Sequence, residues 1–370
     1  MLEAQSLIQI AQIILISIFV LVCVNLYLVF RLKEIDPFKK WNPHAINGGL
    51  FMVFLIVGLI AAVVSTQEYD KYFTLLYNPN SVHGVEIDRM MWNTMFVSLF
   101  VAIVTNIFLF YFSWKYRQKK GRKALYYPHN NKLELIWTIV PAIVLTLLIF
   151  DGVGVWHDIW SDPEEGEEVM YVEVNGKQFA WTVRYPGQDL EFGETHVSYI
   201  NEDKANVLGF NMNDKNGMDD LVTYEMHLPV GKKVDMQIKS RDVLHSATIA
   251  HFRVKMDAVP GMTTHFPFET RYTTKEYIEK FNKPEDFNFE MSCQQICGGA
   301  HFNMRLVVVV ETQEEFDAWL AQQRTFAQFY EDANGENPMA RFADAEGEEE
   351  QEVEEVDAQP ALDTEEVALN

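Results

Sequence analysis

Charged side chains nearly vanish from long stretches of the first 160 residues, and this is the strongest pattern in the chain. Residues 4–30, 41–67 and 90–114 contain no Asp, Glu, Lys or Arg, and 135–156 contains only Asp151. About 20 residues at 1.5 Å rise cross a hydrocarbon core, so each stretch predicts a transmembrane helix. The first is too long for the apolar part of a cleaved leader, and it is preceded by Glu3 rather than by Lys or Arg. Basic residues gather in alternate loops. Arg31, Lys33, Lys39 and Lys40 follow the first span, and Lys115, Arg117, Lys119, Lys120, Arg122 and Lys123 follow the third. Between the second and third, Lys71 and Arg89 face Glu68, Asp70, Glu86 and Asp88. The positive-inside rule then predicts both termini, and everything after Trp156, on the outer face.

Beyond residue 160 the apolar period shortens to that of strands. Residues 170–176, 179–185, 222–228, 234–240, 287–292 and 304–311 alternate or concentrate β-branched and aromatic side chains. Turn-rich stretches at 185–187 and 213–217 punctuate them. Six or more short strands without long helices between them predict an antiparallel sandwich or barrel. Residues 275–281 read as one helical insertion. Thr312 with Glu315 makes a capping box ahead of Phe316, Trp319 and Leu320, so a helix closes the domain. From Glu331 the apolar period is lost.

Composition sharpens this picture. A hydrophobic share of 48% with 13% aromatics excludes disorder of the whole chain, and three cysteines exclude a disulfide-stapled scaffold. The net charge of −23 is local: residues 331–370 hold 15 acidic residues and one basic residue, Arg341. That segment reads as a solvated, disordered tail. The acidic balance argues against nucleic acid, whose phosphates require clustered Lys and Arg.

The candidate chemistry lies in Cys293-Gln294-Gln295-Ile296-Cys297-Gly298-Gly299-Ala300-His301-Phe302-Asn303-Met304. Thiolate and thioether are soft ligands that favour copper, whereas imidazole suits copper or zinc. Cysteines four apart can turn both sulfurs to one side of a compact loop. Gly298 and Gly299 permit the tight turn that returns His301 to the same point. His245, in Asp242-Val243-Leu244-His245-Ser246 at the start of a β-rich stretch, is the obvious further donor. Spacing alone leaves three readings open: a disulfide, a zinc site with two cysteines and two histidines, or copper. Met304 counts against zinc, because thioether is a poor zinc ligand.

Taken together, these residues resemble subunit II of the haem–copper cytochrome c oxidases. The family pattern Cys-x-Glu-x-Cys-x-x-x-His-x-x-Met, preceded by Asp-x-x-His-Ser, is matched at Cys293, Cys297, His301, Met304, Asp242, His245 and Ser246. The resemblance extends through Leu133-Glu134-Leu135-Ile136-Trp137-Thr138-Ile139-Val140-Pro141. It also takes in Gly176-Lys177-Gln178 with Trp181 and Tyr185, and Asp257-Ala258-Val259-Pro260-Gly261. It covers about residues 90 to 327. It implies a membrane-anchored α+β chain in which transmembrane helices precede a cupredoxin-like Greek-key β-sandwich. The expected order is an extra N-terminal helix pair over 1–89 and a subunit II hairpin over 90–160. A copper A domain over 165–330 and the acidic disordered tail over 331–370 follow.

The resemblance also implies roles. Cys293 and Cys297 would bridge two copper ions, and His245 and His301 would each terminate one. Met304 and the backbone carbonyl of Gln295 would be weaker ligands. Electrons would arrive from a c-type cytochrome through Phe179 and Trp181 and pass to haem in subunit I, where oxygen is reduced and protons are pumped. Glu134 would stand at the mouth of a proton channel. The setting would be a bacterial inner membrane, with the copper domain outside. Phe179 replaces the family's electron-accepting Trp, and Gln295 replaces a Glu whose carboxylate holds an interface magnesium, which puts that ion in doubt. Without Cys-x-x-Cys-His the chain would hold no haem itself. The intact ligand set speaks against a quinol oxidase subunit, and the length leaves no room for a nitrous oxide reductase propeller. A membrane-anchored copper- or zinc-delivery protein is the alternative.

Overall fold

The computed structural model describes residues 2–33, 42–69, 78–163 and 166–342. Four long helices come first: α1 (Leu2–Leu32), α2 (Pro43–Tyr69), α3 (Val82–Lys115) and α4 (Asn131–Ile159). All four are long and apolar enough to cross a membrane. Large apolar side chains such as Phe19, Phe54, Phe96 and Phe150 stay exposed. Such all-round hydrophobicity suits a lipid solvent rather than water. α3 begins at Val82, eight residues ahead of the apolar run, because the polar turns carrying Glu86, Asp88 and Arg89 are helical too.

Two compact units divide the chain. In the first (1–72 and 95–137), Phe51 and Phe54 of α2 pack on Phe110 of α3, with ring centroids 6.0 and 5.6 Å apart. Gly48 lies close to the Arg117 and Trp114 side chains. In the second (73–94 and 138–370), Arg89 of α3 pairs with Asp151 of α4 at 2.9 Å. The approach to α3 and its first turns are sewn to the β domain by several contacts. Asn80 N–H donates to the His251 carbonyl, Ser81 Oγ donates to the Phe252 carbonyl, and Asp88 pairs with Arg253 at 2.6 Å.

The β domain is a sandwich of two five-stranded sheets. β1 (Val169–Lys177), β2 (Ala180–Tyr185), β3 (Leu221–Thr223), β5 (Lys233–Ser240) and β8 (Thr264–Glu269) form one, in the order β3-β2-β1-β5-β8. β4 (Met226–Pro229), β6 (His245–Ile249), β7 (Val254–Ala258), β9 (Phe289–Cys293) and β10 (Arg305–Glu311) form the other, in the order β4-β10-β9-β6-β7. Alternation sets the core: Val234, Met236 and Ile238 of β5 turn inward, as do Leu306, Val308 and Val310 of β10.

Several expectations need correction. The sheets are mixed rather than antiparallel, since β1 pairs parallel with β5 and β4 parallel with β10. The apolar run 222–228 is not one strand. It breaks at Tyr224–Glu225, where Thr223 Oγ1 donates to the Glu225 carbonyl and the chain crosses from one sheet to the other. β7 and β8 were not anticipated, although Val254, Met256 and Ala258 of β7 and Phe266 and Phe268 of β8 alternate with polar residues or proline over these short spans. The insertion is helical, as α5 (Thr274–Phe281), and Thr312 does cap α6 (Gln313–Leu320) with Glu315.

The tail does not begin at Glu331. A further capped helix, α7 (Phe326–Asn334), runs through that point, and Phe342 packs on a small core of Phe210, Met218, Phe326 and Tyr330. The rest of the acidic segment, 343–370, lies outside the described residues.

Between β2 and β3 the chain makes a long excursion over the outer face of the first sheet. Beneath it Arg184 is fully buried, bonding Asp220 at 2.6 and 2.9 Å and Glu173 at 3.3 Å. Lys239 completes the cluster, 2.5 Å from Glu173.

Candidate metal centre

Adjacent strand ends of the second sheet assemble the site. β6 and β9 pair antiparallel with Ala247 opposite Cys293, which brings His245 to the same end as Cys293. The loop from β9 to β10 then carries Cys297, His301 and Met304 back over that end. Two backbone bonds close it: Cys293 N–H donates to the Met304 carbonyl at 3.1 Å, and Gln294 N–H to the Ser246 carbonyl at 3.1 Å. Gly298 makes the turn at φ +142°. A Cβ there would lie 2.9 Å from Gln178 Nε2 and from the Phe179 ring, so the loop could not seat with a larger residue.

The six residues expected from the sequence do converge. The Cys293 and Cys297 sulfurs are 3.9 Å apart, too far for a disulfide and close enough to share a partner. His245 Nδ1 lies 3.8 Å from the Cys293 sulfur, which also donates to the Gln295 carbonyl at 3.2 Å. His301 Nδ1 is 3.5 Å and Met304 Sδ 3.9 Å from the Cys297 sulfur. Each sulfur thus has one imidazole and one weaker donor beside it. His245, Cys293 and Cys297 place their donor atoms within 4.8 Å of one another. The centre is sheltered, since His245, Cys293, Cys297 and Met304 are all buried, and only His301 and the Gln295 side chain reach outward.

Surrounding groups orient these donors. Asp242 Oδ1 lies 2.8 Å from His245 Nε2, and the carboxylate also accepts the backbone N–H groups of Gln178 and Val243 at 2.7 Å each. Burial works to raise the Asp242 pKa, but these donors outweigh it and hold the carboxyl below its ordinary range. With Nε2 committed to Asp242, the neutral imidazole turns Nδ1 toward the sulfurs as an acceptor. Burial, and then the neighbouring Cys293 sulfur, push the Cys297 thiol up to about 11. Metal loading must therefore displace a proton from this pair at neutral pH.

Trp181 is buried and stands edge-on to the His245 ring, with centroids 5.7 Å apart. Phe179 is half-buried and covers Gly298 from outside. Glu134 sits elsewhere, exposed in the first turn of α4, where it accepts the Asn130 backbone N–H at 3.4 Å.

Gln178 was not among the expected site residues. Its backbone binds Asp242 while its side-chain amide donates to the Cys297 carbonyl, so one residue braces both halves of the centre. Gly176 is the other omission: a Cβ there would meet the Trp181 ring at 2.8 Å and the His245 ring at 3.1 Å. Both stand in the Gly176-Lys177-Gln178 run, so a signal was present, but neither residue type announces the contact.

The transmembrane domain of cytochrome C oxidase subunit II matches residues 72–153, and the periplasmic domain of the same subunit matches residues 170–311. The alternative cytochrome c oxidase subunit 2 of Bradyrhizobium diazoefficiens is 33% identical over 277 residues, covering 74% of this chain and 93% of that relative. The cytochrome c oxidase subunit 2 of Cereibacter sphaeroides is 28% identical over 250 residues, covering 64% of this chain and 76% of the relative. Among solved structures, the periplasmic domain of subunit II of cytochrome oxidase from Bradyrhizobium japonicum is 24% identical. It covers 43% of this chain and 94% of its own, with a TM-score of 0.28. The matched transmembrane domain starts at residue 72, after α1 and α2 have ended. The chain belongs to the cytochrome c oxidase subunit II family, with two extra N-terminal helices ahead of the transmembrane hairpin and the cupredoxin-like sandwich.

Proposed function

We propose that this chain is the electron-accepting subunit of a terminal oxidase, taking electrons from a c-type cytochrome at a binuclear copper A centre. The observation that carries this reading is the pair of buried sulfurs 3.9 Å apart, each within 4 Å of an imidazole nitrogen. That donor set suits two soft ions sharing both thiolates, with Met304 and the Gln295 carbonyl as outer ligands. Bound copper would supply a one-electron relay whose charge is spread over two ions. The protein's part is to keep the geometry unchanged between oxidation states. β-strand ends fix His245 and Cys293, Asp242 holds the His245 ring, and Gln178 holds the loop.

Electrons would pass Phe179 first and Trp181 next, since Phe179 faces outward and Trp181 lies inward against His245. They would continue to haem in subunit I, where oxygen reduction is coupled to proton pumping, with Glu134 at a proton entrance. The setting would be a bacterial inner membrane, and the basic loops support both termini and the copper domain on its outer, periplasmic side. Magnesium binding would be weak, because Gln295 offers a neutral amide where a hard ion prefers a carboxylate.

A metal-delivery role is the second reading. The burial of His245, Cys293 and Met304 favours retention over exchange. Replacing His245 or Cys297 by Ala should abolish visible and near-infrared copper absorption and stop cytochrome oxidation while the chain stays folded. Normal turnover in either variant would refute the ligand assignment.

A further inference from the structure

The excursion between β2 and β3 encloses a second polar site on the face of β1 and β5 that points away from the sulfurs. It is a cavity of about 100 Å³ between those strands and the segment 195–208. Its charge is unexpected. The chain carries 53 acidic residues against 30 basic ones, yet Lys177, Lys239, Arg241 and His196 line the cavity and no Asp or Glu does.

We propose that this cavity binds a small free oxyanion of the size and charge of inorganic phosphate. The charge balance leaves room for one. Lys239 is offset by buried Glu173 at 2.5 Å, and Arg241 by Glu202 at 2.7 Å on the open side, where Glu202 is exposed. Lys177 makes no ion pair within 4 Å among the described residues, and it shares the field of Glu202 with Arg241, so three lining cations face two carboxylates. His196 Nδ1 accepts the Ser198 backbone N–H. Thr182 and Thr195 add hydroxyls to the lining. Lysine supplies a point charge and arginine a planar fork, which together suit a tetrahedral oxyanion. Ile200 and Leu208, both half-buried, give the cavity an apolar side.

Size decides between a free ion and a larger ligand. One water occupies about 30 Å³ of liquid, so the space holds about three waters, which fits phosphate and not a nucleotide. The inference is independent of the copper reading, because no sulfur or metal ligand lines the cavity. Occupancy would nevertheless place negative charge beside Arg241, whose neighbour Asp242 holds His245.

The test uses the full chain in detergent, titrated with phosphate by calorimetry and by phosphorus resonance line width, against chloride at matched ionic strength. One saturable site per chain is expected. Lys177→Met and Arg241→Gln should each weaken it about tenfold, as expected for loss of one charge-assisted hydrogen bond. Lys255→Met, exposed on β7 and away from the lining, should leave it unchanged. Glycerol phosphate should bind at least about tenfold more weakly, because esterification takes one charge-bearing oxygen from the lining cations and its arm must leave past the Arg241–Glu202 pair. Binding no stronger than chloride, binding indifferent to both cavity variants, or equal binding of glycerol phosphate would overturn the proposal.

Discussion

Gly176→Ala probes the centre through packing alone. The residue lies next to the end of β1, directly beside the His245 and Trp181 rings, and its backbone is not in the left-handed region, so only space is at issue. An added methyl would lie 2.8 Å from Trp181 Cζ3 and 3.1 Å from His245 Cδ2. Carbon atoms prefer about 3.5–4.0 Å, so one of the rings must move by roughly 0.5–1 Å. Neither moves freely. Trp181 is buried in the core, and His245 is buried and tied to Asp242 at 2.8 Å. Overpacking of this kind costs about 1–3 kcal/mol. In the copper-loaded protein the displaced imidazole should also shift the optical bands and slow cytochrome oxidation. Gly299→Ala is the control, since a Cβ there meets nothing within 4 Å. Urea unfolding followed by tryptophan fluorescence reads the stability, and absorption reads the metal. If Gly176→Ala matches the parent in both while Gly299→Ala does too, the packing of His245 against Gly176 is wrong.

Other consequences can be checked separately. Arg184→Met strands Asp220 without its buried cation, while Glu173 keeps Lys239, and should cost about 3–5 kcal/mol, with Asp220→Asn in the same chain recovering part of it; equal stability of the single and double variants would contradict this. Burial, then Lys283 and Arg253, lower His251 to about 4, so its neutral form favours the fold. Metal-free protein should therefore keep that contribution above about pH 6.5 and lose up to about 3 kcal/mol as pH falls from there toward 4. His251→Phe should flatten the slope in urea titrations at several pH values. Gln295→Glu should create a bound manganese resonance in complexes from manganese-grown cells, and a stoichiometric signal already present in the parent would contradict the weak site. Association with a basic cytochrome, steered by exposed Asp257, should weaken with salt as the Debye length falls from about 10 Å at 0.1 M, and salt-independent association would exclude steering.

Much of this architecture was legible because it is written in local pattern. A membrane helix needs only an unbroken apolar run, and the copper loop packs five of its donors into twelve consecutive residues. His245 lies 48 residues before Cys293 and was found through its motif, not through pairing. What escaped was non-local. Nothing in the residues 222–228 marks the change of sheet at Tyr224–Glu225, since both halves present the same strand-like side chains. Parallel pairing of β1 with β5 depends on a crossover that no short window contains. α7 was lost in the charge of the tail, although Thr325 and Gln328 form a capping box and Phe326 and Tyr330 share a buried face. Asp242 stands in the sequence only as the first residue of the Asp-x-x-His-Ser match, and its contacts with His245, Gln178 and Val243 emerge from the fold.

Counting metal in the protein as isolated tests the central claim most directly. Elemental analysis combined with visible and near-infrared absorption should find two copper ions per chain and no zinc. The purple mixed-valence bands should be present in the parent and absent from Cys297→Ala. A colourless zinc-loaded protein, a single copper ion per chain, or a Cys293–Cys297 disulfide in the mass spectrum of the active complex would contradict it.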